Sequence, residues 1–172
     1  MEDFEIELIT KCFGKVIMSV SNSRRDYGNA FISANYHGKE IIFNLNHPIY
    51  YNKEKLNICL GIIDKYIELD KIIKQEILEK FSSNNIINQY FESQFGLLND
   101  MKLLDIFGVN NFNDMDIKNC INKFGYPFLD FNIINNKVLV FADYFISPEY
   151  SWEYLHVSID EYLNVIDILH NK

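Results

Sequence analysis

The segment that decides the fold is VLVFADYFISPEYSWEYLHVSIDEYLNVIDIL, residues 138–169. It contains three apolar runs of strand length, at 138–146, 152–159 and 163–169. The connections between the runs, Ser147–Tyr150 and Asp160–Glu161, consist of residues that favour turns. Because connections this short join antiparallel neighbours, the segment predicts an antiparallel meander.

The strand pattern extends to both sides of this segment. Residues 127–134 predict one more strand, which Asn135-Asn136 joins to the meander. Near the amino terminus, Phe4, Ile6 and Leu8 alternate with polar residues, as in a half-buried strand. The tight turn His37-Gly38-Lys39, in which Gly supplies a positive φ, indicates a hairpin. Antiparallel strands are therefore predicted over 4–45 and again over 127–169.

Between the two sets of strands, residues 53–124 show helical spacing. Asn52 is a plausible N-cap, and Leu60, Ile63 and Ile67 form a stripe that we expect to be buried against the sheet. A change of phase predicts a joint between two helices near Asp70. Further helices are predicted at 85–95, at 99–107 and at 114–124, the last ending in a Gly125 C-cap.

The order of strands, helices and strands predicts an α+β protein with a single domain over residues 1–172. The chain is 48% hydrophobic and 23% charged, as is ordinary for a folded domain. The predicted boundaries within this domain are β 4–45, α 53–124 and β 127–169.

The sequence has no run of about 18 apolar residues that could span a membrane. The acidic amino terminus lacks the features of a signal peptide, so we expect a cytoplasmic protein.

Charge gives the clearest indication of a partner. The formal net charge is −8, which argues against nucleic-acid binding because phosphates are bound by Lys and Arg. Residues 138–171 contain no Lys or Arg. Their acidic residues are Asp143, Glu149, Glu153, Asp160, Glu161 and Asp167. A segment that is both acidic and aromatic favours binding to a basic protein.

Alternation along 152–159 indicates which side of the meander could bind. Leu155, Val157 and Ile159 fall on one side, which we expect to pack on the helices. The other side is centred on Trp152 and Tyr154, and we predict that a partner, a second copy or the amino-terminal hairpin covers it. The predicted partner-binding residues are Trp152, Tyr154, Glu149, Glu153, Asp143, Arg24 and Arg25.

Arg24 and Arg25 are included because they are the only arginines in the chain. They are adjacent in a polar connection, where a solvated turn is the alternative interpretation. Arginine is well suited to bind carboxylates or phosphates through two parallel hydrogen bonds.

Several short stretches together resemble a known family. They are GKEIIF at 38–43, a helical hairpin around 60–70, FADYFISPEY at 141–150 and VIDI at 165–168. The layout is similar to that of small acidic bacterial domains of unknown function, some of which are grouped with immunity proteins of polymorphic toxin systems. The resemblance implies binding to a toxin and brings no catalytic motif.

The residues also permit an enzyme. Asp143, Tyr154 and His156 could face one side of adjacent strands and act on a small molecule.

No glycine-rich phosphate loop, paired cysteines or closely spaced histidines are present, so we predict no cofactor and no metal. Cys12, Cys59 and Cys120 are predicted to be buried free thiols. We expect a protein-binding module, of which an immunity protein that occludes a basic partner is the form we favour, and not an enzyme. A regulatory protein that is not linked to a toxin is the third alternative.

Overall fold

The computed structural model describes residues 4–20, 29–146 and 148–172, and it has the predicted α+β architecture. Within the described residues, helices lie between two sets of strands. The strands are β1 Phe4–Thr10, β2 Gly14–Val20, β3 Ala30–Tyr36, β4 Lys39–Leu45, β5 Phe128–Ile134, β6 Lys137–Tyr144, β7 Tyr154–Asp160 and β8 Val165–Asn171. The helices are α1 Lys53–Ile63, α2 Tyr66–Lys80, α3 Asn85–Leu97, α4 Asp100–Phe107 and α5 Ile117–Lys123.

The strands form one sheet in sequence order, β1 to β8. All neighbours are antiparallel except β4 and β5, which are parallel and pair Phe43 with Leu129 and Leu45 with Phe131. A parallel pair needs a long crossover, and the helical segment supplies it. The two predicted sets of antiparallel strands are thereby joined into a single sheet. The carboxy-terminal meander, β5 to β8, is confirmed.

The helices pack on one side of the sheet, which we call the covered face. Alternate strand residues, such as Ile32, Phe43, Phe131 and Val157, point to this side and are fully buried. Helix α1 contacts β6, and α3 contacts β7 and β8. The predicted burial of Leu155, Val157 and Ile159 is confirmed. The core of the protein therefore lies between the helices and this face.

The turn between β3 and β4 confirms the predicted hairpin. His37 and Gly38 both have positive φ, at 50° and 79°, as a two-residue hairpin turn requires. The Asn35 carboxamide oxygen accepts a hydrogen bond from the Gly38 N–H at 3.0 Å, which stabilises the turn.

The start of the helical segment is confirmed, but the joint is not. Asn52 caps α1 by accepting hydrogen bonds from the N–H groups of Glu54 and Lys55. The break between α1 and α2 lies between Ile63 and Tyr66, so the joint predicted near Asp70 is wrong. Ile63 is fully buried as predicted, whereas Leu60 and Ile67 are only half-buried. The break resets the helical phase, so one stripe could not continue through it.

The predicted Gly125 C-cap is also wrong. Helix α5 ends at Lys123, and Phe124 leaves it with φ −54° and ψ 130°. This backbone leads directly towards Pro127 without a left-handed residue. A left-handed glycine cap does occur, but at Gly108, whose φ of 76° ends α4.

The prediction of three buried thiols is correct for two of the cysteines. Cys59 and Cys120 are buried free thiols, but Cys12 is only half-buried because it lies in the turn between β1 and β2. None of the helices in the described part of the chain is long and apolar enough to cross a membrane.

Candidate functional site

The candidate site is the side of the sheet that points away from the covered face, which we call the open face. Strand register defines its rows. Asn44 lies beside Asp130, Asp130 opposite Phe141, and Phe141 opposite Ser158. In the next row, Phe128 lies opposite Asp143, and Asp143 lies opposite His156. The β1–β2 hairpin extends the same sheet at its edge, so the alternative in which this hairpin covers the face is wrong.

The open face is strongly acidic. By strand register, its described residues include two lysines, Lys15 and Lys137, of which Lys15 pairs with Glu7. Its acidic residues come from six of the eight strands. They are Glu5, Glu7, Glu40, Asp130, Asp143, Asp160 and Asp167. A surface with this balance attracts basic partners over long range.

A cavity of about 380 Å³ lies at the centre of the open face, where β4, β5, β6 and β7 meet. Aromatic side chains and two carboxylates line it together. The aromatic ones are Phe31, Phe128, Phe145 and Tyr154, and the carboxylates are Asp130 and Asp143. No basic side chain of the described residues lines this cavity.

Three rings at the cavity contact one another. Phe128 and Phe145 meet edge to face with centroids 6.0 Å apart, and Phe145 lies 5.0 Å from Tyr154 at an angle of 32°. Phe128 is nevertheless 57% exposed. Phe145 and Tyr154 are half-buried, whereas much of the Phe128 ring remains in water. The cluster can therefore still bury apolar area on binding.

Asp143 is the most constrained charged residue of the cavity. Its Oδ1 lies 2.6 Å from Nδ1 of His156, and the His156 ring stacks on Phe141 at 4.9 Å. Burial raises the pKa of Asp143 above its ordinary value, and the nearby charge of Asp130 raises it slightly further. The hydrogen bond from His156 lowers it, but burial outweighs this effect. The carboxylate of Asp143 is thus poorly solvated.

Asn44 adds a buried acceptor to this part of the sheet. Its side-chain Oδ1 is buried and makes no hydrogen bond with the described residues, although Nδ2 donates to Asn46. Buried polar atoms are seldom left without a partner in folded proteins. The unpartnered atom belongs to a side chain that lines the cavity.

The structure places the predicted binding residues in different positions relative to the cavity. Tyr154 and Asp143 line the cavity, and Trp152 is 83% exposed just before β7. Glu149 is exposed in the preceding turn. Glu153 is only half-buried and faces inward, with Oε2 2.9 Å from Nε2 of His170. The remaining two, Arg24 and Arg25, lie outside the described residues.

The segment before β7 displays Trp152 because its neighbours are fixed inward. Buried Gln94 donates a hydrogen bond to the Ser151 hydroxyl at 3.2 Å, and that hydroxyl accepts the Glu153 N–H at 3.1 Å. Residues on either side of Trp152 are thus anchored to α3 and to β8. The indole is presented to solvent by a segment that the core holds.

The residues proposed for an enzyme are partly brought together. Asp143 and His156 are in direct contact, and the Tyr154 ring lies 6.4 Å from that of His156. In the described part of the chain, no serine, threonine or cysteine donates a hydrogen bond to His156. Catalysis at this pair stays a prediction.

Sequence reasoning missed most of the residues that line the cavity. Phe31 and Asn44 come from the β3–β4 hairpin, and Phe128 and Asp130 come from β5, which joins that hairpin through the parallel pairing with β4. Residues 128–132 do carry a signal, since apolar and polar side chains alternate from Leu129 to Asn132. That pattern indicates two different faces but does not name the neighbouring strand.

Comparisons with known proteins add no relative to this description: no protein-family model, curated protein or solved structure matches the chain. Across residues 4–20, 29–146 and 148–172, no three His, Cys, Asp or Glu side chains come together as a metal site would require.

Proposed function

We propose that the protein is a protein-binding module whose open face binds a basic partner protein. The observation that carries this proposal is the combination, on one side of the sheet, of seven acidic residues with exposed aromatic side chains. Carboxylates speed the encounter with a basic surface, and aromatic residues supply the buried area that holds it.

Trp152 and the cavity supply the anchors of this interface. Interfaces draw most of their binding energy from a few aromatic or arginine residues that become desolvated. Trp152 exposes a large indole from an anchored segment, and Phe128 and Tyr154 lie at the cavity. Charges at the margin of the face, such as Glu149 and Asp167, act mainly on the rate of association.

An immunity protein is the form of this function that the resemblance in the sequence favours. In that form the basic partner is a toxin domain, and the acidic face inhibits it by occlusion. A regulatory protein that binds a basic partner unrelated to toxins uses the same surface. The two differ in the identity of the partner and not in the way it is bound.

The experiment places a photo-crosslinking amino acid at Ser158 on the open face, in cells that naturally produce the protein. The matched control places it at Leu104, an exposed residue of α4. We expect a basic protein to crosslink from Ser158 and not from Leu104. The affinity of the purified complex should fall by about tenfold or more from low to high salt, because screening reduces charge attraction.

Two results would contradict the proposal. One is equal crosslinking from both positions, which would show that the open face has no preference. The other is an acidic partner whose affinity does not depend on salt. The enzyme alternative would replace the proposal if no partner crosslinked to the open face and if a chemical activity of the protein were lost in His156→Gln.

A further inference from the structure

We propose that the cavity of the open face receives an arginine side chain of the basic partner. The inference rests on the proposed function and deepens it, since it names the group that enters the centre of the interface. Its basis is the chemistry of the cavity lining: acceptors, aromatic rings and no described cation.

The hydrogen-bonding groups of the cavity match a donor with several N–H groups. Asp143 uses Oδ1 for His156, and no described residue hydrogen-bonds to its Oδ2. No hydrogen bond or ion pair joins the Asp130 carboxylate to another described residue, and Asp130 lines the cavity together with Asp143. A guanidinium carries five N–H donors and no acceptor, so it can satisfy these atoms together.

The aromatic lining favours a guanidinium over an ammonium. Phe145 and Tyr154 are inclined by 32° at 5.0 Å, and Phe128 meets Phe145 edge to face. A planar guanidinium stacks on such rings and gives up its hydration more readily than the compact ammonium of lysine. The cavity of about 380 Å³ lies at the small end of ligand sites, a size suited to one side chain.

The electrostatic state of Asp143 points to the same ligand. The carboxylate is partly desolvated, and Asp130 on the neighbouring strand adds a second negative charge. Two carboxylates close together repel each other, and a cation that enters between them removes this repulsion. His156 holds Oδ1 from the other side and so fixes the orientation of the carboxylate.

The first experiment uses three hexapeptides, made of arginine, of lysine and of citrulline. Citrulline has nearly the shape of arginine but no charge. Binding is followed by amide chemical shifts of the labelled protein. We expect the arginine peptide to bind at least about fivefold more tightly than the lysine peptide, because of stacking and bidentate hydrogen bonds. Its largest shifts should fall at Phe128, Asp130, Asp143 and Tyr154, and citrulline should cause none.

The second experiment compares two variants that remove the same charge. Asp130→Asn with Asp143→Asn changes the cavity, whereas Glu5→Gln with Asp167→Asn changes the open face away from it. The cavity variant should lose about tenfold in affinity for the arginine peptide, and the control about twofold, because only close pairs are desolvated. Phe145→Leu, which keeps every charge, should reduce the preference for arginine over lysine. Thermal unfolding of each variant shows that it is folded.

Three results would overturn the inference. Equal affinity for arginine and lysine peptides, with equal losses in both double variants, would mean that the open face attracts cations without a specific cavity. That result leaves the proposed function intact, because crosslinking from Ser158 tests it separately. Absence of shifts at the cavity with the arginine peptide would show that the guanidinium binds elsewhere. A protein that is dimeric in sedimentation, and monomeric after the cavity substitutions, would make a second copy the occupant.

Discussion

The two faces of the sheet are built by the same strands, yet they differ in what they contact. On β6, Val140 and Ala142 point to the covered face and are fully buried. Between and beside them, Phe141 and Asp143 point to the open face and are half-exposed. The helical crossover between β4 and β5 packs on one side only, so the covered side of the central strands is apolar and their open side is mixed.

This difference separates the residues that stabilise the fold from those available for binding. Removal of apolar area from water dominates folding, and the covered face supplies it. The open face leaves aromatic rings and carboxylates in water, which contributes little to folding. If this separation holds, matched substitutions on the two faces should differ in their effect on the free energy of unfolding.

The largest difference is expected between Ile32 and Ile17, which lie on adjacent strands and point to opposite faces. Ile32 is 0% exposed and Ile17 is 44% exposed. Ile32→Ala should lower the free energy of unfolding by about 2–5 kcal/mol, because it removes buried methyl groups and leaves a cavity. Ile17→Ala should lower it by less than about 1 kcal/mol. Urea unfolding measures both, and similar losses would show that the open face is buried in the free protein.

The next largest effect concerns two tyrosines. Tyr144 on the covered face donates a hydrogen bond from its hydroxyl to Asp70 at 2.8 Å, and Asp70 also pairs with Lys74 at 3.0 Å. Tyr144→Phe should cost about 1–2 kcal/mol, because a largely buried carboxylate loses a donor. Tyr154→Phe on the open face should cost less than about 0.5 kcal/mol. Chemical denaturation of the two variants tests this, and a costlier Tyr154→Phe would contradict the comparison.

A smaller effect is expected from the titration of Asp143. Burial raises its pKa in the folded state above the ordinary value of 3.8, so the folded protein binds this proton more readily than the unfolded chain. The contribution of Asp143 to stability is therefore present at low pH and is lost as pH rises through the raised pKa. The free energy of unfolding of the wild type minus that of Asp143→Asn should fall as the pH rises from below 3.8 through the raised pKa of Asp143.

The same comparison in proteins that also carry His156→Gln tests the effect of His156 on the pKa of Asp143. The hydrogen bond from His156 lowers the pKa of Asp143, so the fall should become larger when both proteins also carry His156→Gln. Urea unfolding at several pH values measures the four proteins. A difference that rises with pH would mean that pairing with His156 outweighs burial and that Asp143 is not a desolvated carboxylate.

The smallest effect on stability is expected at Trp152. Trp152→Ala should change the free energy of unfolding by less than about 0.5 kcal/mol, because the indole is 83% exposed. It should nevertheless weaken binding of the crosslinked partner by about tenfold or more, as loss of an aromatic anchor does. Tyr162→Ala, at an exposed tyrosine of the β7–β8 turn, is the matched control. Calorimetry of both variants with the partner decides whether Trp152 is an anchor.

The positions and types of the helices and strands followed from the sequence because they depend on local patterns. Alternation predicted β5 to β8 to within about two residues at their ends, and Asn52 was recognised as a cap from its own chemistry. The two errors in the helices, the joint near Asp70 and the Gly125 C-cap, were also local. The joint after Ile63 interrupts the helical phase, and Phe124 reaches Pro127 in extended form, so Gly125 needs no left-handed conformation.

The residues of the candidate site also differ in whether local sequence patterns could place them. Asp143, Tyr154 and His156 could be placed together from sequence, because short connections make their strands antiparallel neighbours. Phe128 and Asp130 could be assigned to a strand, but β4 and its Asn44 lie more than 80 positions earlier in the chain. Which strands pair across the helical crossover is decided by how the helices pack, and no local pattern encodes it. The sequence by itself thus determined the elements and one side of the cavity. Only the tertiary structure, by pairing β4 with β5, decided that the β3–β4 hairpin and the β5–β8 meander form one cavity.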